Sequence, residues 1–239
     1  MRLSAPVFQL KRSAKSLSRK ENISLNLALD CIAKKEGFQS WSLLAARVSA
    51  SRSSNELELL SRLTPGDLVL LGARPRQGKT MTGLKLIVTA IKDGRQGFFY
   101  TLEYTLKDVL NRLEEIDVNP ATLADNFKLD TSDNICAPYI IDQLQSVPCG
   151  TVIVIDYLQL LDQKRQNPKL STQVSELKSF ACKAGLIVVL ITQIDRTYDL
   201  SGKSHPDISD VRLPNPIDLT LFTKTCFLHN GEIQFQTVV

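Results

Sequence analysis

The chain has 239 residues, 43% of them hydrophobic and 23% charged, with a net charge of +4. These proportions are those of a globular chain and exclude wholesale disorder. No run of 18 apolar residues offers a transmembrane helix, and no apolar stretch behind the first basic residues offers a secretory signal. The charge is unevenly split. Residues 1–53 carry ten basic and three acidic side chains; residues 54–239 carry nineteen and twenty-two. A basic leader before a mildly acidic body points to a polyanion partner. Cys31, Cys136, Cys149, Cys182 and Cys226 are scattered without a C-x-x-C pair. That predicts buried, reduced thiols in a cytoplasmic protein, with neither disulfides nor a zinc site.

In chain order, residues 6–20 read as a basic segment, helical or not. Ser24 predicts a helix cap, with Leu25, Ala28, Leu29 and Ile32 on one face and Gly37 as the stop. Trp41, Leu44 and Val48 predict a second helix from Ser40, and the Ser-rich 49–54 reads as a linker. The chain thus divides into a basic helical hairpin at 1–53 and a body at 54–239. In the body, strands are expected at Asp67–Gly72, Gly97–Leu102, Thr151–Ile155, Leu186–Thr192 and Ile217–Phe222. Helices are expected at Lys79–Lys92, Leu106–Glu115, 136–147 and 171–184, with a closing hairpin at Asn230-Gly231. Apolar strands alternating with helices predict an α/β fold: a mainly parallel sheet covered on both faces, with ligands at the carboxyl ends of its strands.

The first strand runs into Ala73, Arg74, Pro75, Arg76, Gln77, Gly78, Lys79 and Thr80, followed by Met81. This is the phosphate-binding loop pattern with Ala73 in place of the first glycine. A turn entering a helix gathers backbone N–H groups and the positive end of the helix dipole around an anion. Gly78 permits close approach, Lys79 reaches the terminal phosphates, and Thr80 offers a hydroxyl to Mg²⁺. ATP and Mg²⁺ are therefore the expected cofactors. Asp156 ends the apolar run VIVID and suits the same Mg²⁺. Glu103 follows the second strand and is read either as the group that activates the attacking water or as a helix N-cap acid. Gln193 ends the fourth strand, where an amide can contact the γ-phosphate.

The segments GDLVLLGARPRQGKT, FFYTLEYTLKDVLNRL, VIVIDYLQLL and VVLITQIDR, in this order and spacing, resemble the RecA-like ATPase domain of DnaB-type replicative helicases over residues 63–238. The resemblance implies that Lys79 and Thr80 bind nucleotide and Mg²⁺. It implies that Glu103 activates water, Asp156 is linked to Mg²⁺ and Gln193 senses the γ-phosphate. It also implies a ring-shaped homo-hexamer threading single-stranded DNA, with catalysis completed by a Lys/Arg pair from the neighbouring subunit. Ser209-Asp210-Val211-Arg212 resembles the start of the family's last DNA-facing motif, and Asp218 the acid of the strand after it. Candidate DNA contacts are Lys164, Arg165 and Lys169 after the third strand, and Arg196, Lys203 and Arg212 after the fourth.

Three departures stand against the family's pattern. The primase-docking domain has no counterpart, and the basic hairpin, with an unknown protein partner, stands in its place. Pro214 and Pro216 alter the DNA-facing loop. Phe227 and His229 occupy the positions of the finger Lys and Arg. ATP binding is therefore expected, with slow hydrolysis. The alternative is an accessory module that kept the nucleotide pocket and lost the motor. For the leader, contact with nucleic acid and a merely solvated face both remain open.

Overall fold

The computed structural model describes residues 3–237 except 6, 162, 163, 165, 214 and 231. It divides into two compact units, Met1–Asn55 and Glu56–Val239.

The first unit holds α1 (Val7–Glu21), α2 (Leu25–Lys35) and the first part of α3 (Trp41–Ser61). The basic leader is thus helical. Leu10 and Ala14 of α1 pack with Ala28, Ile32, Ala33 and Leu44, so three helices, not two, share one small core. The Ser24 hydroxyl caps α2 by accepting from the Leu27 N–H at 3.3 Å. Gly37, at φ 84°, lies just past the end of α2, as its sequence position predicts. Asp30 accepts from the Trp41 N–H at 2.8 Å and fixes the start of α3. The Ser-rich stretch is not a linker: α3 runs through it without a break. Neither Gly nor Pro occurs between Gly37 and Pro65, and the NELELL sequence carries the helical pattern on to Leu59 and Leu60, which are buried.

The second unit is built on a seven-stranded sheet. Its strands are β1 (Leu68–Ala73), β2 (Gly97–Thr101), β3 (Phe127–Asp130), β4 (Val152–Asp156), β5 (Ile187–Gln193), β6 (Lys224–His229) and β7 (Glu232–Thr237). The spatial order is β3-β2-β4-β5-β1-β6-β7, and only β7 is antiparallel to its neighbour. The alternation of side chains divides the core between the two faces. Val69, Leu71, Phe99, Val154 and Val189 pack toward α4 (Lys79–Lys92) and α5 (Leu106–Glu114). Leu68, Leu70, Ile153, Ile155 and Leu190 pack toward α6 (Ala137–Gln143) and α7 (Leu170–Ala184). The α/β architecture and the doubly covered sheet are those the sequence predicts.

Two strands differ from expectation. Residues 217–222 form no strand. Asp218 caps a helical turn over Leu219–Leu221 by accepting from the Thr220 N–H at 2.9 Å. The strand follows at Lys224–His229, where four consecutive residues are buried. Asp218 is therefore a turn cap and not a strand acid. The edge strand β3 has no expected counterpart. The cysteines also differ: Cys226 is buried, but Cys149 and Cys182 are exposed. Cys182, near the end of α7, lies against the Gly66 carbonyl at 3.4 Å. No helix among the described residues is long and apolar enough to cross a membrane.

Candidate functional site

β1 occupies an interior place in the sheet, between β5 and β6, and its carboxyl end leads into the phosphate loop. Arg76 (φ 66°) and Gly78 (φ 90°) are both left-handed. For Gly78 this costs nothing, and nothing lies within 4 Å of where a Cβ would stand. That turn brings the chain into α4 at Lys79, whose first N–H groups have no partner within the helix. Lys79 and Thr80 are buried, Gln77 and Met81 are half-buried, and Pro75 and Arg76 are exposed. The Arg74 side chain is engaged within the chain. Its guanidinium holds Asp199 through two contacts, of 3.0 and 2.6 Å, and donates to the Ile194 carbonyl at 3.1 Å. It ties the loop to the segment after β5.

Asp156 ends β4 and is 1% exposed. Its Oδ2 accepts from the Thr80 hydroxyl at 2.6 Å, while Oδ1 is buried without a partner among the described residues. Burial pushes this carboxyl up to about 6, against the pull of the Thr80 hydroxyl and the Lys79 ammonium; the Glu103 charge adds to the rise. A buried acceptor left unpaired is costly. A hydroxyl and a carboxylate oxygen converging beside a phosphate loop fit a hard, oxygen-preferring cation. The set therefore suits Mg²⁺.

Glu103 lies two residues beyond Thr101, which stands opposite Asp156 in the β2–β4 register. Its backbone N–H donates to the Thr101 hydroxyl at 3.1 Å, and the residue is exposed. The cap of α5 is Thr105, in a reciprocal box with Asp108, so Glu103 is not the helix cap. Arg112 of α5 lies 3.9 Å from the Tyr104 ring centroid and contributes a weaker lowering pull on Asp156. Gln193, half-buried, stands opposite Ala73 in the β1–β5 register.

Residues 192–195 are stitched to 210–212. The Gln193 carbonyl accepts from the Arg212 N–H at 2.8 Å, the Asp195 N–H donates to the Asp210 carbonyl at 2.8 Å, and Ile194 bridges Val211. Gln159 completes the latch, donating to the Thr192 hydroxyl at 2.9 Å and to the Arg212 carbonyl at 2.7 Å. Tyr157, Gln159, Gln193 and Arg212 line one small cavity. Gln159 is a site residue that the sequence reading misses. Its one signal is its place three residues after Asp156; its partners lie 33 and 53 residues away.

The expected DNA contacts differ in exposure. Lys164 is half-buried, Lys169 precedes α7 and is exposed, and Arg196 and Arg212 are exposed. Arg165 lies outside the described residues, as does Pro214. Lys203 is committed elsewhere: its ammonium binds Asp207 at 2.8 Å, Asp210 at 3.0 Å and the Ser209 hydroxyl at 3.1 Å. A cation so paired offers little to a phosphate, so it does not fit the expected role.

Phe227 and His229 supply no cation. Phe227 is fully buried in β6, and a Cβ on Gly72 would come within 2.9 Å of its ring. This is core packing. Phe227→Ala is expected to cost about 3–5 kcal/mol, read as a lower urea midpoint. Phe227→Lys would leave a charge in the same pocket and unfold the protein. His229 packs edge-on against Tyr198 at 5.7 Å and His205 at 5.8 Å, and its Nε2 lies 2.9 Å from the Asn230 amide. Burial, then His205, pushes its pKa down, with Glu232 and Asp199 pulling the other way. A depressed histidine stabilises the fold above its unfolded pKa, and that contribution is lost as pH falls below about 6.5. His229→Gln should therefore show a smaller drop in urea midpoint between pH 7 and pH 5 than the parent.

With this geometry, comparison places the chain. Residues 141–219 match the model of the DnaB-like helicase C terminal domain. The replicative DNA helicase DnaB of Helicobacter pylori strain J99 is 24% identical over 202 residues, covering 68% of this chain and 40% of that protein. The probable replicative DNA helicase of Guillardia theta is 25% identical over 252 residues, covering 86% of this chain and 42% of that protein. The chain thus spans well under half the length of these relatives. In fold it is similar to a solved ATPase domain, with a TM-score of 0.58 at 20% identity, covering 74% of this chain and 75% of that one. It is also similar to a DnaB-like replicative helicase solved in a study of its interactions with primase, with a TM-score of 0.59 at 18% identity, covering 92% and 66%. In sequence, the body of the chain is similar to the C-terminal part of DnaB-type replicative helicases, and its fold is similar to that of a solved ATPase domain and a solved DnaB-like helicase.

Proposed function

We propose that this chain is an ATP-dependent, helicase-like motor of the DnaB type that hydrolyses ATP and acts on single-stranded DNA as a ring of like subunits. The observation that carries the reading is the Thr80–Asp156 pair at 2.6 Å, with a second, unpartnered carboxylate oxygen, at the foot of a phosphate loop. Kinship with replicative helicases supports DNA as the partner. The first-turn N–H groups of α4 and Lys79 bind the phosphates. Thr80 and Asp156 would hold Mg²⁺, which supplies neutralisation of phosphate charge. Glu103 takes the proton of the attacking water. Gln193 contacts the γ-phosphate, and the latch through Gln159 carries its displacement to Arg212. Since Phe227 and His229 are uncharged, they give a neighbour's site no finger cation. Such a cation is worth roughly 10³–10⁵ in rate, so turnover is expected to be slow.

Strand release from a forked duplex, with oligomeric mass measured in the same buffer, tests the motor. ATP-dependent release by a multi-subunit assembly is expected. A protein that stays monomeric and releases no strand would sink the reading.

A further inference from the structure

The nucleotide-site residues named above all belong to the second unit, and the fold of the first shows where the charge of the leader goes. Val7, Leu10, Ala14 and Leu17 turn one side of α1 into the core of the first unit. Lys11, Arg12, Lys15 and Arg19 project from the other side, and all four are exposed. None makes an ion pair among the described residues. The acids nearby are engaged or peripheral. Asp30 holds the Trp41 N–H, and Glu36 holds the Ser4 N–H at 2.8 Å. Glu21 closes the last turn of α1.

We infer that this exposed face of α1 is a sequence-independent binding surface for the phosphate backbone of DNA, separate from the contacts made by the motor; the choice of DNA rests on the function proposed above. Lys11, Lys15 and Arg19 advance by four residues each, about 6 Å per step along the helix. A row of about 12 Å matches roughly three to four phosphates of one strand, at one per about 3.4 Å. Ser16, also exposed, follows Arg12 by four residues and precedes Arg19 by three, and adds a hydroxyl on this face that can bond phosphate oxygens. A lipid surface fits less well. A membrane-binding helix keeps its apolar face free to enter the bilayer, whereas that of α1 is used in its own core.

The test is binding of a fluorescent oligonucleotide, single-stranded and duplex, to the full chain without nucleotide, across about 50–200 mM salt. The protein carries Lys79→Ala, so that the result does not depend on ATP turnover. Replacing Lys11, Arg12, Lys15 and Arg19 together by Gln should lower the slope of log affinity against log salt by about 3. Affinity should weaken on the order of tenfold or more. The double change Lys34→Gln, Lys35→Gln on α2 should do markedly less. If the four-Gln protein keeps the parental unfolding midpoint and also the parental slope and affinity, the inference is overturned. An equal loss from the α2 pair would overturn it too, since net charge alone would then account for binding. So would capture of phosphatidylserine vesicles with no binding of DNA. DNA binding that persists here, together with no ATPase activity in the protein that keeps Lys79, would leave α1 standing and remove the motor.

Discussion

Lys79→Ala should reduce ATP turnover by roughly 10²–10³, the range for removing one preorganised charge from a reacting centre. Lys79 is buried at the start of α4, one residue from Thr80 and close enough to Asp156 to draw its pKa down. A buried ammonium without an ion pair among the described residues is costly to the fold alone. The bound phosphates would repay that cost, and Ala would remove both. The variant should therefore bind ATP weakly yet unfold no earlier than the parent when nucleotide is absent. Nucleotide titration by calorimetry and a urea curve check both halves. Unchanged ATP affinity would show that the loop is not the phosphate site.

Glu103→Gln should separate binding from chemistry. Glu103 sits past the end of β2, at the level where Thr101 faces Asp156, and no helix cap employs it. Gln keeps its shape but cannot take a proton. Turnover should fall by about 10²–10⁴, while ATP affinity stays within a few-fold of the parent. Single-turnover kinetics with radiolabelled ATP read the difference. A large loss of affinity with turnover of the bound fraction intact would reassign Glu103 to binding.

Most of the candidate catalytic half of the site is legible in the sequence, because each of its residues follows a short continuous apolar run of strand length. β1, β4 and β5 each end within one residue of a residue the motifs single out: Ala73, Asp156 and Gln193. The helix over Lys79–Lys92 is legible for the same reason, with Gly78 at one end and Gly94 just past the other. Other parts are illegible for identifiable reasons. α3 is obscured because serine is a poor helix former in isolation, and tertiary packing of Leu59 and Leu60 overrides that preference. β3 has four residues, none fully buried, and leaves no apolar run to find. The 217–222 error comes from reading apolar residues without weighing Asp218, whose side chain favours a turn. Long-range pairs are invisible by nature: Arg74 meets Asp199 across 125 residues. Lys203 is illegible for a similar reason: residues 203–207 form no helix, so no helical spacing announces its pairing with Asp207 and Asp210.

The most direct measurement is steady-state ATP turnover with and without single-stranded DNA, on the full chain, with Lys79→Ala as the zero point. The account predicts a slow basal rate that rises severalfold or more on adding DNA and falls by roughly 10²–10³ in Lys79→Ala. A rate unaffected by DNA, or one that survives the loss of Lys79, would contradict it.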